Sequence, residues 1–365
     1  MRLSRQTVLV TVATLALLAF FFRQADLGGV WRALVSADPG LIALSIAAVL
    51  PTYVIRTWRW QILLAPIAPL PFTPVFRATI VGFTTTFLLP ARAGELIRPW
   101  MLSRETGVSA SAAFATVIVE RLFDLVAVLA LFCVWRLLPA PPGAAEIEGV
   151  TAAAILAGIA GLAALGLTFL LAGRSERVGT MGTALARVLP ARAATDIVTF
   201  IEKFARGLAI MRRPGPIVAA LGLSLLLWAS IGLTTWLTSR AFGITFPYAA
   251  SFLLPLFLVV GVAVPTPGGV GGFHAAYSFA VTRLFGATQE QAVACAIILH
   301  AVSFVPVTLV GLIIMARAGL SIQSARAQSA HIRAEGTGQR AEENIGQRAE
   351  GKTGNREEGE GGRGE

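Results

Sequence analysis

The sequence predicts an all-α fold: a polytopic transmembrane helical bundle of about eight spans with two re-entrant or broken-helix segments. Three observations predict it. Hydrophobic residues make up 55% of the 365 and charged residues 14%, and mean hydropathy is +0.72. A soluble domain carries about 25% charged residues, so most of this chain is built for lipid. The apolar residues fall in long runs rather than in alternation, and a chain in lipid must satisfy its own backbone, which long runs do as helices. The Arg and Lys residues gather in short connections between the runs, the usual mark of cytoplasmic loops.

The runs, in order, are Thr7–Phe22, Leu41–Leu64, Val75–Leu89, Ala112–Leu138, Val150–Leu171, Pro216–Ser239, Phe246–Val264 and Gln291–Ala316. The first follows Arg2 and Arg5 and has no small-x-small cleavage site, ending in Phe20-Phe21-Phe22-Arg23. It therefore reads as an uncleaved span. Cys133 and Cys295 fall inside runs and are expected as small buried core residues.

Orientation follows from the basic loops. Arg2 and Arg5 place the N-terminus inside, as do Arg56, Arg59 and Arg77 for the second loop. Pro139–Gly149 lacks Lys and Arg and reads outside, whereas Arg174–Arg213 and the tail after Arg317 read inside. A parity conflict results. Val75–Leu89 starts inside, yet Arg92, Arg98 and Arg104 follow it and also read cytoplasmic. Phe246–Val264 and Gln291–Ala316 both have to end inside. Both conflicts coincide with Pro and Gly, at Pro90–Glu95 and at Pro265–Gly272. A chain that enters the membrane and returns resolves each. Irregular backbone at that depth requires protein or a wet cavity around it.

Within residues 193–211, Ile197, Ile201, Phe204, Leu208 and Met211 share one helical face opposite Asp196, Glu202, Lys203 and Arg206. That predicts a cytoplasmic interfacial helix, or one packed on its own spans. Residues 321–365 form a polar, charge-balanced tail with an imperfect octad (Gly338-Gln339-Arg340-Ala341-Glu342, then Gly346-Gln347-Arg348-Ala349-Glu350), predicted to be disordered. The domain reading is thus 1–320 as a transmembrane unit and 321–365 as the tail.

Four constellations carry chemistry. Glu120, Arg121 and Asp124 lie within one 100° sector of a span. A lone charge at mid-membrane costs roughly 2.5–3.5 kcal/mol, so the three must pair and face the interior, either as an ion-pair knot or as the lining of a polar path. Arg92, Glu95 and Arg98 are spaced by three between Pro90 and Pro99, which stacks them on one face of a helical turn. Pro267, Gly268, Gly269 and Gly271 form a bend that frees backbone groups, and paired broken helices point to a transporter's substrate site. Arg56 and Arg59, flanking Trp58 and preceding Trp60, read as interfacial anchors or as phosphate contacts. His274 and His300 lie in or near spans, as satisfied interior residues or as proton relays. The sequence contains no Walker A, His-Glu-x-x-His, Gly-x-Ser-x-Gly or paired-Cys motif, and the basic balance belongs to membrane loops rather than to nucleic-acid binding.

The order Arg56-x-x-Arg59-Trp60, Leu89-Pro90-x-Arg92-x-Gly94-Glu95-x-x-Arg98, Glu120-Arg121-x-x-Asp124 and Pro267-Gly268-Gly269-Val270-Gly271 resembles the lysylphosphatidylglycerol synthase transmembrane-region family over roughly residues 1–320. The resemblance implies a flippase-type fold that moves lipid headgroups between leaflets. Two-part members of that family carry a soluble aminoacyl transferase after the membrane part. Only a short polar tail follows here, so lipid aminoacylation is not expected. Many relatives place Glu shortly after Pro-Gly-Gly, where this chain has His274.

The expected function is a lipid translocase or flippase-like transporter of an inner membrane, multi-pass with both termini cytoplasmic, and not an enzyme. Its groove would be lined by Arg56, Arg59, Arg92, Glu95, Arg98, Glu120, Arg121 and Asp124 and closed by Pro267, Gly268, Gly269, Gly271 and His274. Arg92 and Arg98 would touch a phosphate, and Glu120 and Asp124 would hold Arg121 or exchange protons. The expected partners are a lipid with an anionic phosphate headgroup, further copies of the chain and an envelope enzyme; no cofactor or metal is expected. The alternatives are an intramembrane enzyme on a lipid-linked sugar, with Glu120 or Asp124 as base, and a membrane scaffold subunit.

Overall fold

The computed structural model describes residues 26–89, 92–137, 150–172, 203–204, 207–263 and 266–318. The first expected span, most of the 193–211 segment and the 321–365 tail lie outside the described residues. Ten α-helices form among those described, with no strand: α1 (Leu27–Ser36), α2 (Pro39–Leu64), α3 (Phe72–Leu88), α4 (Gly94–Thr106), α5 (Ala110–Leu137), α6 (Val150–Ala172), α7 (Pro214–Ala241), α8 (Leu254–Ala263), α9 (Gly272–Phe285) and α10 (Gln289–Arg317).

Helix starts follow local chemistry. The Asp26 carboxylate accepts the amides of Gly28 and Gly29, and Asp38 those of Gly40 and Leu41, each satisfying orphan donors of the first turn. Pro39 sits at the first helical position, where its missing N–H costs nothing. Thr288 and Gln291 form a reciprocal capping box for α10.

Helices α2, α7 and α10, of 26, 28 and 29 residues, are long and apolar enough to cross a membrane. Helix α5 has 28 residues and matches them in length, but carries Glu120, Arg121 and Asp124 at its middle. Helix α6 is apolar on every side and packs on α5 at the perimeter, with Ile155, Leu156, Ile159 and Leu162 exposed. An all-apolar exposed helix suits lipid.

Four of the five shorter helices, α3, α4, α8 and α9, form two hairpins that enter from opposite ends of the bundle. The Asp38 amide donates to the Ala241 carbonyl, and Gln291 Nε2 donates to the Phe242 carbonyl. The start of α2, the end of α7 and the start of α10 therefore share one end, here the first end. Hairpin α8–α9 hangs from it, with Phe246 stacked on Phe285 at 4.1 Å. Hairpin α3–α4 hangs from the second end, where Arg77 pairs with Glu105. At 10 to 17 residues these helices reach only ~15–25 Å, short of a ~30 Å hydrocarbon core. The two re-entrant segments expected from the parity conflict are present as these hairpins. Their tips meet: a Cβ on Gly268 would stand 3.3 Å from the Phe87 carbonyl.

Two apolar cores flank this meeting point. One, near the first end, holds Phe242, Ile244, Leu253, Leu254, Tyr277 and Leu299. The other, near the second end, holds Trp60, Leu63, Val75, Leu102, Val119 and Leu208.

Three sequence expectations change. The run Phe246–Val264 is not one helix but a 3-10 turn at Tyr248–Phe252 followed by α8. Pro247 and Pro255 favour the break, because each lacks the N–H that a continuing helix would use and disfavours helical geometry in the residue before it. Cys133, expected in the core, is exposed on the perimeter, whereas Cys295 is buried. Leu208–Arg212, at the end of the amphipathic stretch, is a 3-10 turn.

Candidate functional site

Charged residues in the span α5 must find partners on neighbouring helices, because lipid offers none. Arg59 of α2 reaches both carboxylates: Nη2 stands 2.8 Å from Glu120 Oε1 and Nη1 2.5 Å from Asp124 Oδ1. Arg59 Nη1 also donates to Ser224 Oγ of α7 at 2.8 Å. Trp228 of α7 donates Nε1–H to Asp124 Oδ1 at 3.0 Å. Arg98 of α4 donates through Nη1 to both oxygens of Glu120, at 3.2 and 3.1 Å. Arg121 closes the set on Glu120 at 2.9 Å and Asp124 at 3.3 Å. Four helices are tied by five charges. Glu120 alone faces three guanidiniums, and both Arg59 and Glu120 are fully buried.

The Arg98 guanidinium lies 3.7 Å from the centroid of the Trp60 ring, whose own N–H donates to Thr116 Oγ1 at 2.9 Å. A cation over an indole face is stabilised when desolvated. Arg56 lies 4.6 Å above Phe83 in the same manner.

Beside this knot opens a cleft of about 700 Å³, counting the space at its mouth. Its walls come from four sources. Helix α3 gives Gly82, Phe83, Thr86 and Phe87. The start of α4 gives Arg92, Gly94, Glu95 and Arg98. Helix α5 gives Val117 and Arg121. The far wall is Val262, Thr266, Gly268, Gly269 and Phe304. Sequence motifs as far apart as Gly94 and Gly268 thus border one space. Arg92 is half exposed, pairs with Glu95 at 3.4 Å and adopts φ of +52°. That left-handed conformation is uncommon outside Gly and marks stored strain.

The sequence-predicted residues therefore divide. Arg92, Glu95, Arg98, Arg121, Gly268 and Gly269 line the cleft. Arg59, Glu120 and Asp124, expected in the lining, stand behind it as the buried knot, because carboxylates at mid-span are drawn to the cations that neutralise them. Arg56, Gly271 and His274 are also outside the lining. Pro267 opens the 3-10 turn of the bend, and Gly271 precedes α9. The charge cluster itself forms the ion-pair knot, and one of its members, Arg121, also borders the cleft.

Four buried donors of the lining find no hydrogen-bond partner among the described residues: Arg98 Nε and Nη2, Arg121 Nε and the Thr266 hydroxyl. A buried donor left unmade costs about 1–3 kcal/mol, so these atoms are poised for an acceptor. An oxyanion supplies several acceptors at once, and Arg presents them a rigid planar fork.

Sequence reasoning missed Ser224, Trp228, Thr116 and the role of Trp60. Neutral polar groups inside apolar runs give no charge signal; only their placement at the depth of Asp124 and Glu120 identifies them.

Residues 7–311 match the family described as the lysylphosphatidylglycerol synthase TM region. Glycosyltransferase AglD of Haloferax volcanii is 25% identical over 358 residues, an alignment covering 89% of this chain and 56% of that protein. The chain therefore spans about half the length of this curated relative.

Proposed function

The chain belongs to the lysylphosphatidylglycerol synthase transmembrane-region family, and from that premise we propose that it is a lipid translocase carrying an anionic, phosphate-bearing headgroup through the cleft while the acyl chains stay in the bilayer. One observation carries the reading: two hairpins inserted from opposite ends meet at a polar cleft whose Arg98 and Arg121 donors lack partners. Short broken helices meeting at mid-depth are how transporters expose a site to either side in turn. The lining has three Arg, at 92, 98 and 121, against one carboxylate, Glu95, so it favours anions. In this reading the protein sits in an inner membrane with both termini cytoplasmic.

The test is a two-leaflet assay in proteoliposomes with fluorescent anionic, zwitterionic and cationic lipids. Arg92→Ala is the informative variant, because Arg92 is half exposed and contacts Glu95 rather than the knot. Movement of the anionic lipid is expected to fall about tenfold, the loss of roughly 1.4 kcal/mol, with unchanged melting. Equal movement of all three lipids, or an unaffected Arg92→Ala, would overturn the reading.

A second reading draws on the name of the relative, a glycosyltransferase: an intramembrane enzyme acting on a lipid-linked sugar. Glu120 and Asp124 are poorly suited as its base, being bound by two or three guanidiniums each. Glu95 is the carboxylate in the lining. Consumption of a nucleotide-activated sugar donor by the purified protein, abolished in Glu95→Gln, would select this reading.

A further inference from the structure

The bend between α8 and α9 is held by two histidines from different helices. Gly268, Gly269 and Gly271 all take positive φ, at 62°, 69° and 89°, a conformation that Gly alone adopts at little cost. The Gly268 carbonyl lies 2.9 Å from His300 Nε2 of α10. A carbonyl only accepts, so His300 carries its proton on Nε2. At the other end, the Gly271 amide donates to His274 Nδ1 at 3.4 Å. An amide only donates, so His274 is unprotonated at Nδ1. The two rings stand 4.7 Å apart, tilted by 32°. Phe304 lies 4.2 Å and Phe273 5.2 Å from the His300 ring. Aromatic faces tolerate a cation beside them, but two imidazolium charges 4.7 Å apart in an apolar surround repel strongly.

We propose that His274 and His300 form a site for a single proton, which grips the glycine bend when empty and releases it when filled. The proton goes to His274 Nδ1. It consumes the lone pair that accepts the Gly271 amide, so that bond is lost. The bend is also the far wall of the cleft, through Gly268 and Gly269. Proton uptake and occupancy of the cleft are then linked, and linkage is reciprocal. The ionisable groups around the pair are Tyr277 and Cys295, which hydrogen-bond to each other at 2.9 Å while Tyr277 also bonds Ser239, and, across the cleft, Arg92, Glu95, Arg98 and Arg121. The net positive charge of that opposite wall keeps the pair neutral until an anion enters. The part of the inference that concerns cleft occupancy rests on the translocase reading; the proton site itself does not.

The first measurement is a histidine 15N NMR titration of the full chain in phosphatidylcholine nanodiscs, paired with amide exchange across residues 266–272, corrected for the intrinsic pH dependence. One proton per pair is expected to bind as pH falls, with exchange in the bend rising several-fold as it binds. His274→Gln offers a side-chain oxygen in place of Nδ1 but takes no proton, and its bend is expected to stay protected at every pH. His274→Ala lacks the acceptor, and its bend is expected to exchange fast at every pH. Two independent protons, a bend that ignores pH, or a His274→Gln variant that still responds would overturn the proposal. Replacing part of the phosphatidylcholine with phosphatidylglycerol is expected to raise the titration midpoint. A flux assay separates the two ideas. A titrating pair and responsive bend with no lipid movement at any pH sinks the translocase reading and leaves the proton site. Lipid movement with a silent pair does the reverse.

Discussion

The two hairpins solve the same problem with different chemistry. Both enter part-way and turn back, so both must satisfy exposed backbone at depth. Hairpin α3–α4 does so with charge: Arg92, Glu95 and Arg98 lie at or just beyond its tip, and Arg98 anchors it to Glu120 of α5. Hairpin α8–α9 has no Asp, Glu, Lys or Arg from Leu254 to Thr282. Its tip is glycine backbone gripped by His274 and His300. The difference teaches that one wall of the cleft is fixed by ion pairs that are costly to break, and the other by two neutral hydrogen bonds that are not. In the translocase reading, the first wall would select the ligand and the second would be the part that moves.

Substitutions at four positions break or sharpen that contrast. The largest effect is expected from Glu120→Gln, which leaves three guanidiniums, two of them buried, facing one fewer negative charge. Breaking a buried pair costs about 3–5 kcal/mol, so denaturant unfolding in mild detergent should show a loss of that size and faster proteolysis of α4. Gly94→Ala comes next. Its Cβ would intrude on the Gly82 carbonyl and on Thr86 where α3 and α4 touch, and overpacking costs roughly 1–3 kcal/mol; a fall in melting temperature checks it. In the second hairpin, Gly268→Ala forces a side chain into positive φ. The expected loss is about 1–2 kcal/mol, and Gly268→Asn should recover part of it, since Asn tolerates that region better. The smallest effect is expected from Arg92→Gly. Relief of the +52° φ and the greater freedom of glycine in the unfolded chain offset each other, so stability should stay within about 0.5 kcal/mol. Anionic lipid movement should nonetheless fall, separating charge kept for the ligand from charge kept for the fold.

The hairpins were legible because two independent signals agreed: Val75–Leu89 is too short to cross, and the basic residues on both sides of it demand the same face. The knot was legible in its members, since three charges in one sector of a span have to pair. Its division from the cleft was not. Whether Glu120 faces ligand or Arg59 depends on how α2, α4 and α7 approach α5, and periodicity along one helix carries no information about its neighbours. Helix α1 went unread because ten residues with exposed Leu27, Trp31 and Val35 produce no long apolar run. The pairing of His274 with His300, 26 positions apart on antiparallel helices, likewise appears only when α9 and α10 are packed together.

Trp60 gives the chain an optical reporter of its own. Its indole carries the Arg98 guanidinium on one face and is pinned by Thr116 at its nitrogen, so its excited state senses any shift of that cation. Among seven tryptophans, it is the one in contact with a cleft-lining arginine that has unfilled donors. With Trp228 kept for its bond to Asp124 and the other five replaced by Phe, a change in emission on filling of the cleft would report Trp60 without a label, in the same membrane where transport is measured.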